Sequence, residues 1–116
     1  MPKDRVSDRP ANAGWAPNQP RGRTFRVVGD SLTVPTRFPT VYIPDGHQLY
    51  IKAWPDNDSW VFTGFSPAEA MSDNHSWPLL PNEPQWYQIE DAAALYLRVL
   101  HIGDSVVCTV EQGKGG

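Results

Sequence analysis

Apolar and polar positions alternate along most of this chain in short runs, and each run stops at proline, glycine or a cluster of Asp, Asn and Ser. A period of two places successive side chains on opposite faces of an extended strand, so each run reads as a β-strand bounded by turns. Residues 24–28 form the first run and end at Gly29 and Asp30. Residues 40–43 read Thr, Val, Tyr, Ile and stop at Pro44, Asp45 and Gly46, a tight-turn composition that predicts a hairpin into residues 47–54. There Leu49, Ile51 and Ala53 share one face, which reads as buried, and Tyr50, Lys52 and Trp54 share the other. Pro55, Asp56, Asn57 and Asp58 make a turn into residues 59–65, where Trp60, Phe62 and Gly64 alternate with Val61, Thr63 and Phe65; these two strands read as a second hairpin.

Residues 66–84 carry Pro67, Pro78, Pro81 and Pro84 and read as an irregular loop. Within it Ser66 is placed to cap one helical turn, with Pro67 in the first position and Glu69 in the third. Strands follow at 85–89, 95–101 and 105–111, and residues 91–94 fit a helical turn equally well. About seven short strands without crossover helices predict an all-β fold, an antiparallel β-sandwich spanning residues 24–112. An extended N-terminal arm, residues 1–23, precedes it, and a flexible Gly-rich tail, residues 113–116, follows.

The length of 116 residues fits one domain, and 12 prolines with 9 glycines suit short strands better than helices. The single Cys108 excludes an intrachain disulfide, which slightly favours a reducing compartment. No apolar run is long enough to span a bilayer, and the charged first ten residues lack the apolar stretch of a secretory signal, so a soluble chain made in the cytoplasm is expected. The formal charge of −3 is unevenly divided: residues 1–26 carry Lys3, Arg5, Arg9, Arg21, Arg23 and Arg26 against Asp4 and Asp8, a surplus of +4, whereas the remainder carries −7. The arm, with Trp15 as its only aromatic residue, is too polar to repay its own ordering entropy, so it is expected to dock onto another acidic surface.

Several constellations invite a chemical reading. Gly29, Asp30, Ser31 and Leu32 after a β-prone run look like the nucleophile block of GDSL-type esterases and lipases, in which Ser31 would be the nucleophile. Those enzymes have a doubly wound α/β fold and an Asp and His pair near the C-terminus, neither of which appears here, and a Gly-Asp-Ser turn recurs at residues 103–105. No catalytic residue is assigned, and no cofactor is expected. His47, His75 and His101 have no metal-ligand spacing, with Asp73 and His75 as the nearest approach to one. The acidic groups at Asp56 and Asp58, and at Glu90 and Asp91, fit turns better than paired catalysis or calcium. Five tryptophans, Trp15, Trp54, Trp60, Trp77 and Trp86, fit either a sugar-stacking platform or an aromatic core. Arg21, Arg23, Phe25 and Arg26 have the residue types of a nucleic-acid site, but the acidic body opposes phosphate.

The succession of Ile43, Pro44, Asp45 and Gly46, then residues 49–53, then the Asp and Asn turn at 55–58, then Trp60, Val61, Phe62, Thr63 and Gly64 resembles the small β-sandwich structural proteins of tailed-phage virions. The likeness runs on through Trp77, Pro78 and Leu79, the Pro81 and Asn82 turn, residues 95–97 and residues 105–111. It covers residues 24–112, and departs from the pattern in the loop at 66–75. That resemblance implies a non-enzymatic virion protein, a capsid decoration or cement protein on the head surface, made in the host cytoplasm. Its partner would be the major capsid protein, met by Trp15, Arg21, Arg23, Phe25 and Arg26. Shell symmetry suits a homo-oligomer, a trimer among the choices. A head-tail junction component and a carbohydrate-binding or host-recognition module of a tail or fibre are the alternatives.

Overall fold

A computed structural model describes residues 24–112. Eight strands run in chain order as β1 (Thr24–Val28), β2 (Thr36–Arg37), β3 (His47–Ala53), β4 (Val61–Gly64), β5 (Trp77–Leu79), β6 (Pro84–Tyr87), β7 (Tyr96–Val99) and β8 (Ser105–Gln112). They form two four-stranded sheets, ordered β1-β8-β3-β6 and β2-β7-β4-β5, with antiparallel pairing throughout. The all-β class therefore holds. The arm and tail expected at residues 1–23 and 113–116 lie outside the described residues.

Alternation dictates what each strand buries. On β3, Leu49, Ile51 and Ala53 are fully buried, opposite Val106, Cys108 and Val110 on β8. On the second sheet Val61, Leu79, Leu97 and Val99 turn inward. Residues of both sheets share one hydrophobic cluster, completed by Phe38, Val41, Ile43, Ala92 and Leu95 from the connections. It is an aliphatic core: Phe38 is its only fully buried aromatic residue, and none of the tryptophans at 54, 60, 77 and 86 belongs to it. Of the two roles open to these tryptophans, the core is thus built without them.

The single helical turn forms as the sequence indicates. Helix α1 (Pro67–Met71) starts at Ser66, whose hydroxyl accepts from the Glu69 amide at 3.1 Å, while the Glu69 carboxylate accepts from the Phe65 amide at 2.6 Å. It packs on the outer side of β4, where a Cβ on Gly64 would stand 2.5 Å from the Ala70 nitrogen. Residues 91–94 likewise form a short 3-10 turn, Ala92–Ala94, capped by Asp91.

Three expectations need correction. Residues 40–43 are not a strand in a hairpin with β3; Tyr42 makes an isolated bridge to Asp91, and Val41 and Ile43 exchange backbone hydrogen bonds with residues 90–92. The backbone groups of the run are committed elsewhere: the Val41 amide donates to the Asp91 carboxylate, the Ile43 amide to the Glu90 carbonyl, and the Val41 carbonyl accepts from Ala92, which leaves β3 to pair with β6 and β8. Second, β3 and β4 are not a hairpin: they lie in different sheets, and residues 54–60 cross between them. Third, the segment 66–84 contains β5 despite Pro78. The strand order explains this, because β5 is an edge strand and an outward-facing position needs no amide hydrogen. Two-residue β2 was not foreseen at all.

The crossing at 54–60 is tied down by the β7–β8 turn. Asp104 is 4% exposed, and its two carboxylate oxygens accept from the amides of Asp58 at 2.9 Å and Ser59 at 3.1 Å. Beside it the Asn57 side chain acts as a piece of strand, donating to the Ser105 carbonyl and accepting from the Ser105 amide, both at 2.9 Å. Gly29 joins the knot by donating to the Asp104 carbonyl and accepting from the Gly103 amide. A Cβ at Gly29 would stand 2.4 Å from Val99, so this close approach of β1 to β7 requires glycine. Replacing Asp104 by Ala orphans two amides and is expected to cost about 2–4 kcal/mol in urea unfolding, with Asp104→Asn costing less because one acceptor survives.

Candidate interaction surfaces

Several of the residues singled out for chemistry have structural partners. The Ser31 hydroxyl accepts from the amides of Thr33 and Val34, each at 3.2 Å, and its other neighbour is the Thr33 hydroxyl, so it closes a turn. The His47 ring nitrogen Nδ1 lies 3.2 Å from the Asp45 carbonyl, and that of His75 lies 2.9 Å from the Ser72 hydroxyl. Asp73 pairs with Arg98 at 2.9 Å. Asp91 accepts from the amides of Val41 and Ala93. Among the described residues no three His, Cys, Asp or Glu side chains converge as a metal set.

Of the five residues expected to meet a partner, Trp15, Arg21 and Arg23 lie outside the described residues. Phe25 is half-buried and packs against the domain's own core. Arg26 is exposed on the opposite face of β1; its Nε donates to the Ser105 hydroxyl at 2.8 Å, and its guanidinium lies 4.0 Å from the Trp54 ring centroid. That stack covers the buried Ser105 and fixes the end of the outer face of the first sheet.

Arg98 carries a role that alternation could not show. It sits on the outer face of β7, where α1 and its following turn bury it: one guanidinium nitrogen donates to the Met71 carbonyl at the helix end, another to Asp73, and the group lies 4.1 Å from the Phe62 ring centroid. The only advance signal was its place opposite an aromatic residue on a neighbouring strand, and that pairing is invisible until the strand order is known.

Two surfaces of the described residues combine exposed apolar or aromatic side chains. At one end, Val28, Leu32, Val34, Trp60, Leu100 and Ile102 are all exposed large apolar residues, carried on the segments that Asp104 and Gly29 tie together. Among the described residues, six of the twelve exposed large hydrophobics therefore lie on the end of β1 and on these loops. The second surface is the outer face of the first sheet. There Tyr50 pairs across the strands with Trp86, with ring centroids 4.9 Å apart and planes inclined by 43°. Next to them is a groove of about 450 Å³ lined by Gln48, Trp86, Glu111 and Gln112. No protein-family model, curated protein or solved structure matches the chain.

Burial also governs two titrating groups. It lifts the Cys108 thiol from 9.0 to about 12, and it raises the Tyr87 hydroxyl above 10.0, opposed by the 2.7 Å hydrogen bond with Thr63. A raised folded pKa means that the unfolded chain ionises first, so the associated stability is complete below pH 9.0 and falls as pH climbs toward 12. Alkaline unfolding should accordingly set in above pH 9.0, and Cys108→Ala should remove part of that slope. In the native chain at about pH 8, iodoacetamide should leave Cys108 unlabelled until urea unfolds the domain.

Proposed function

We propose that this chain is a non-enzymatic structural protein of a tailed-phage virion, a β-sandwich that decorates and cements the capsid through its N-terminal arm. The apolar loop end carries the reading. A soluble domain of this size normally scatters its exposed apolar residues, and a concentration of them marks a surface that another protein covers. Val28, Leu32, Val34, Trp60, Leu100 and Ile102 supply such a surface.

The two sheets support the sandwich assignment by feeding one buried cluster. Strand β1 supports the arm's role. It is an edge strand, five residues long and free of proline, whereas the edge strands β5 and β6 each contain a proline and β2 has two residues. An unblocked edge accepts a further strand through its backbone groups. The arm leads directly into β1 and, fully extended, 23 residues reach at most about 80 Å, enough to cross neighbouring shell subunits. Arg21 and Arg23 then meet acidic groups on the major capsid protein, and Trp15 supplies an apolar anchor. Many copies on one lattice multiply a modest single-site affinity.

Deleting residues 1–22 should leave a folded domain, by circular dichroism, that no longer sediments with capsids, while Leu32→Ser with Ile102→Ser should weaken sedimentation roughly tenfold at unchanged fold. Undiminished sedimentation of the deleted chain would rule out the arm as the attachment.

A further inference from the structure

We propose that the groove beside Trp86 binds a neutral pyranose saccharide. Its first requirement is a flat apolar surface, because the axial C–H bonds on one face of a pyranose pack best on an aromatic plane. Trp86 provides that plane. It is 47% exposed although it stands within a strand, and Tyr50 meets it at a tilt of 43°, so Tyr50 props the indole without stacking over it. Backbone pairing of Tyr50 with Trp86 holds the ring on a sheet instead of a loop, which lowers the ordering cost of binding.

The second requirement is a fringe of planar polar groups for the equatorial hydroxyls, each of which both donates and accepts. Gln48 and Glu111 face each other across β3 and β8, and Gln112 follows at the strand end. The Gln48 amide and the Glu111 carboxylate supply donors and acceptors together on the outer face that carries Tyr50 and Trp86. The volume of about 450 Å³ lies low in the range of small-ligand sites and suits one or two sugar rings.

Charge selects among saccharides. Glu111 lines the groove itself, and residues 27–116 carry −7 in total, so phosphorylated or carboxylated sugars and nucleotides are repelled. The alternative occupant, an apolar segment of protein, is disfavoured by the same Gln48 and Glu111 side chains, which it would leave without hydrogen-bond partners. The site is separate from the apolar loops, which begin beyond the Val28 end of β1, whereas Tyr50 and Trp86 are level with the Thr24 end. It therefore stands independently of attachment to a shell.

The test uses the full chain labelled with ¹⁵N, with the indole N–H signal of Trp86 assigned by Trp86→Phe. Maltose, cellobiose and lactose are titrated to concentrations on the order of 10 mM, and glucose 6-phosphate serves as the anionic probe. The expected result is a saturable shift of the Trp86 signal with at least one neutral disaccharide, little with the phosphate, and no change at Trp60 or Trp77. Gln48→Ala should weaken that binding roughly fivefold, the loss of one hydrogen bond, without altering the rest of the spectrum. The proposal is overturned if none of the three disaccharides moves the Trp86 signal, if glucose 6-phosphate binds more tightly than they do, or if Gln48→Ala leaves the affinity unchanged.

Discussion

A single buried carboxylate holds the crossing between the two sheets. Where the chain leaves β3 and enters β4, the amides of Asp58 and Ser59 lie outside any strand and point to the Asp104 carboxylate. Asp104 supplies both acceptors from the turn between β7 and β8, and Asn57 returns the favour by pairing with the Ser105 backbone. Since β7 belongs to one sheet and β8 to the other, this knot fixes two crossings against each other. A buried Asp104 carboxylate left without these amides would cost a large part of a small domain's stability.

What the knot positions is also what the domain has to offer. Gly29, Asp104 and the crossing bring three loops together, and those loops carry the exposed apolar side chains. At the other end of β1 the first sheet presents Tyr50, Trp86 and a polar-edged groove, about 13 Å away along the strand. The core can leave these aromatic residues outside because it closes on aliphatic side chains with Cys108 and Phe38. Tryptophans spared from the core are then free to act as contact surfaces, one at the apolar end and one at the groove.

Much of this architecture was legible from alternation, and its failures have physical causes. The inward faces of β3 and β7 follow directly from the period of two, as do the cap at Ser66 and the helical turn after Asp91. Pairing is different: a strand's composition states that one face is buried, but not which neighbour completes its ladder. The hairpins expected before and after β3 follow from short turns, yet the backbone groups of residues 41 and 43 bond to residues 90–92 in place of β3, and the second turn is a crossing. Pro78 concealed β5 because proline excludes only interior strands. Asp104 was read as part of a turn, and nothing in its local sequence reveals acceptors reaching more than forty residues back along the chain. Arg26 was expected to face a partner; its hydrogen bond to Ser105 and its stack on Trp54 depend on a fold that its neighbours in sequence do not describe.

Hydrogen exchange at the amides of Asp58 and Ser59 tests the importance of the knot most directly. With Asp104 as their buried acceptor, both should exchange as slowly as the central strand amides of Ile51 and Val99, opening only when the domain unfolds. Exchange at the rate of exposed loop amides, while those strands stay protected, would contradict the claim that this carboxylate holds the sheets together.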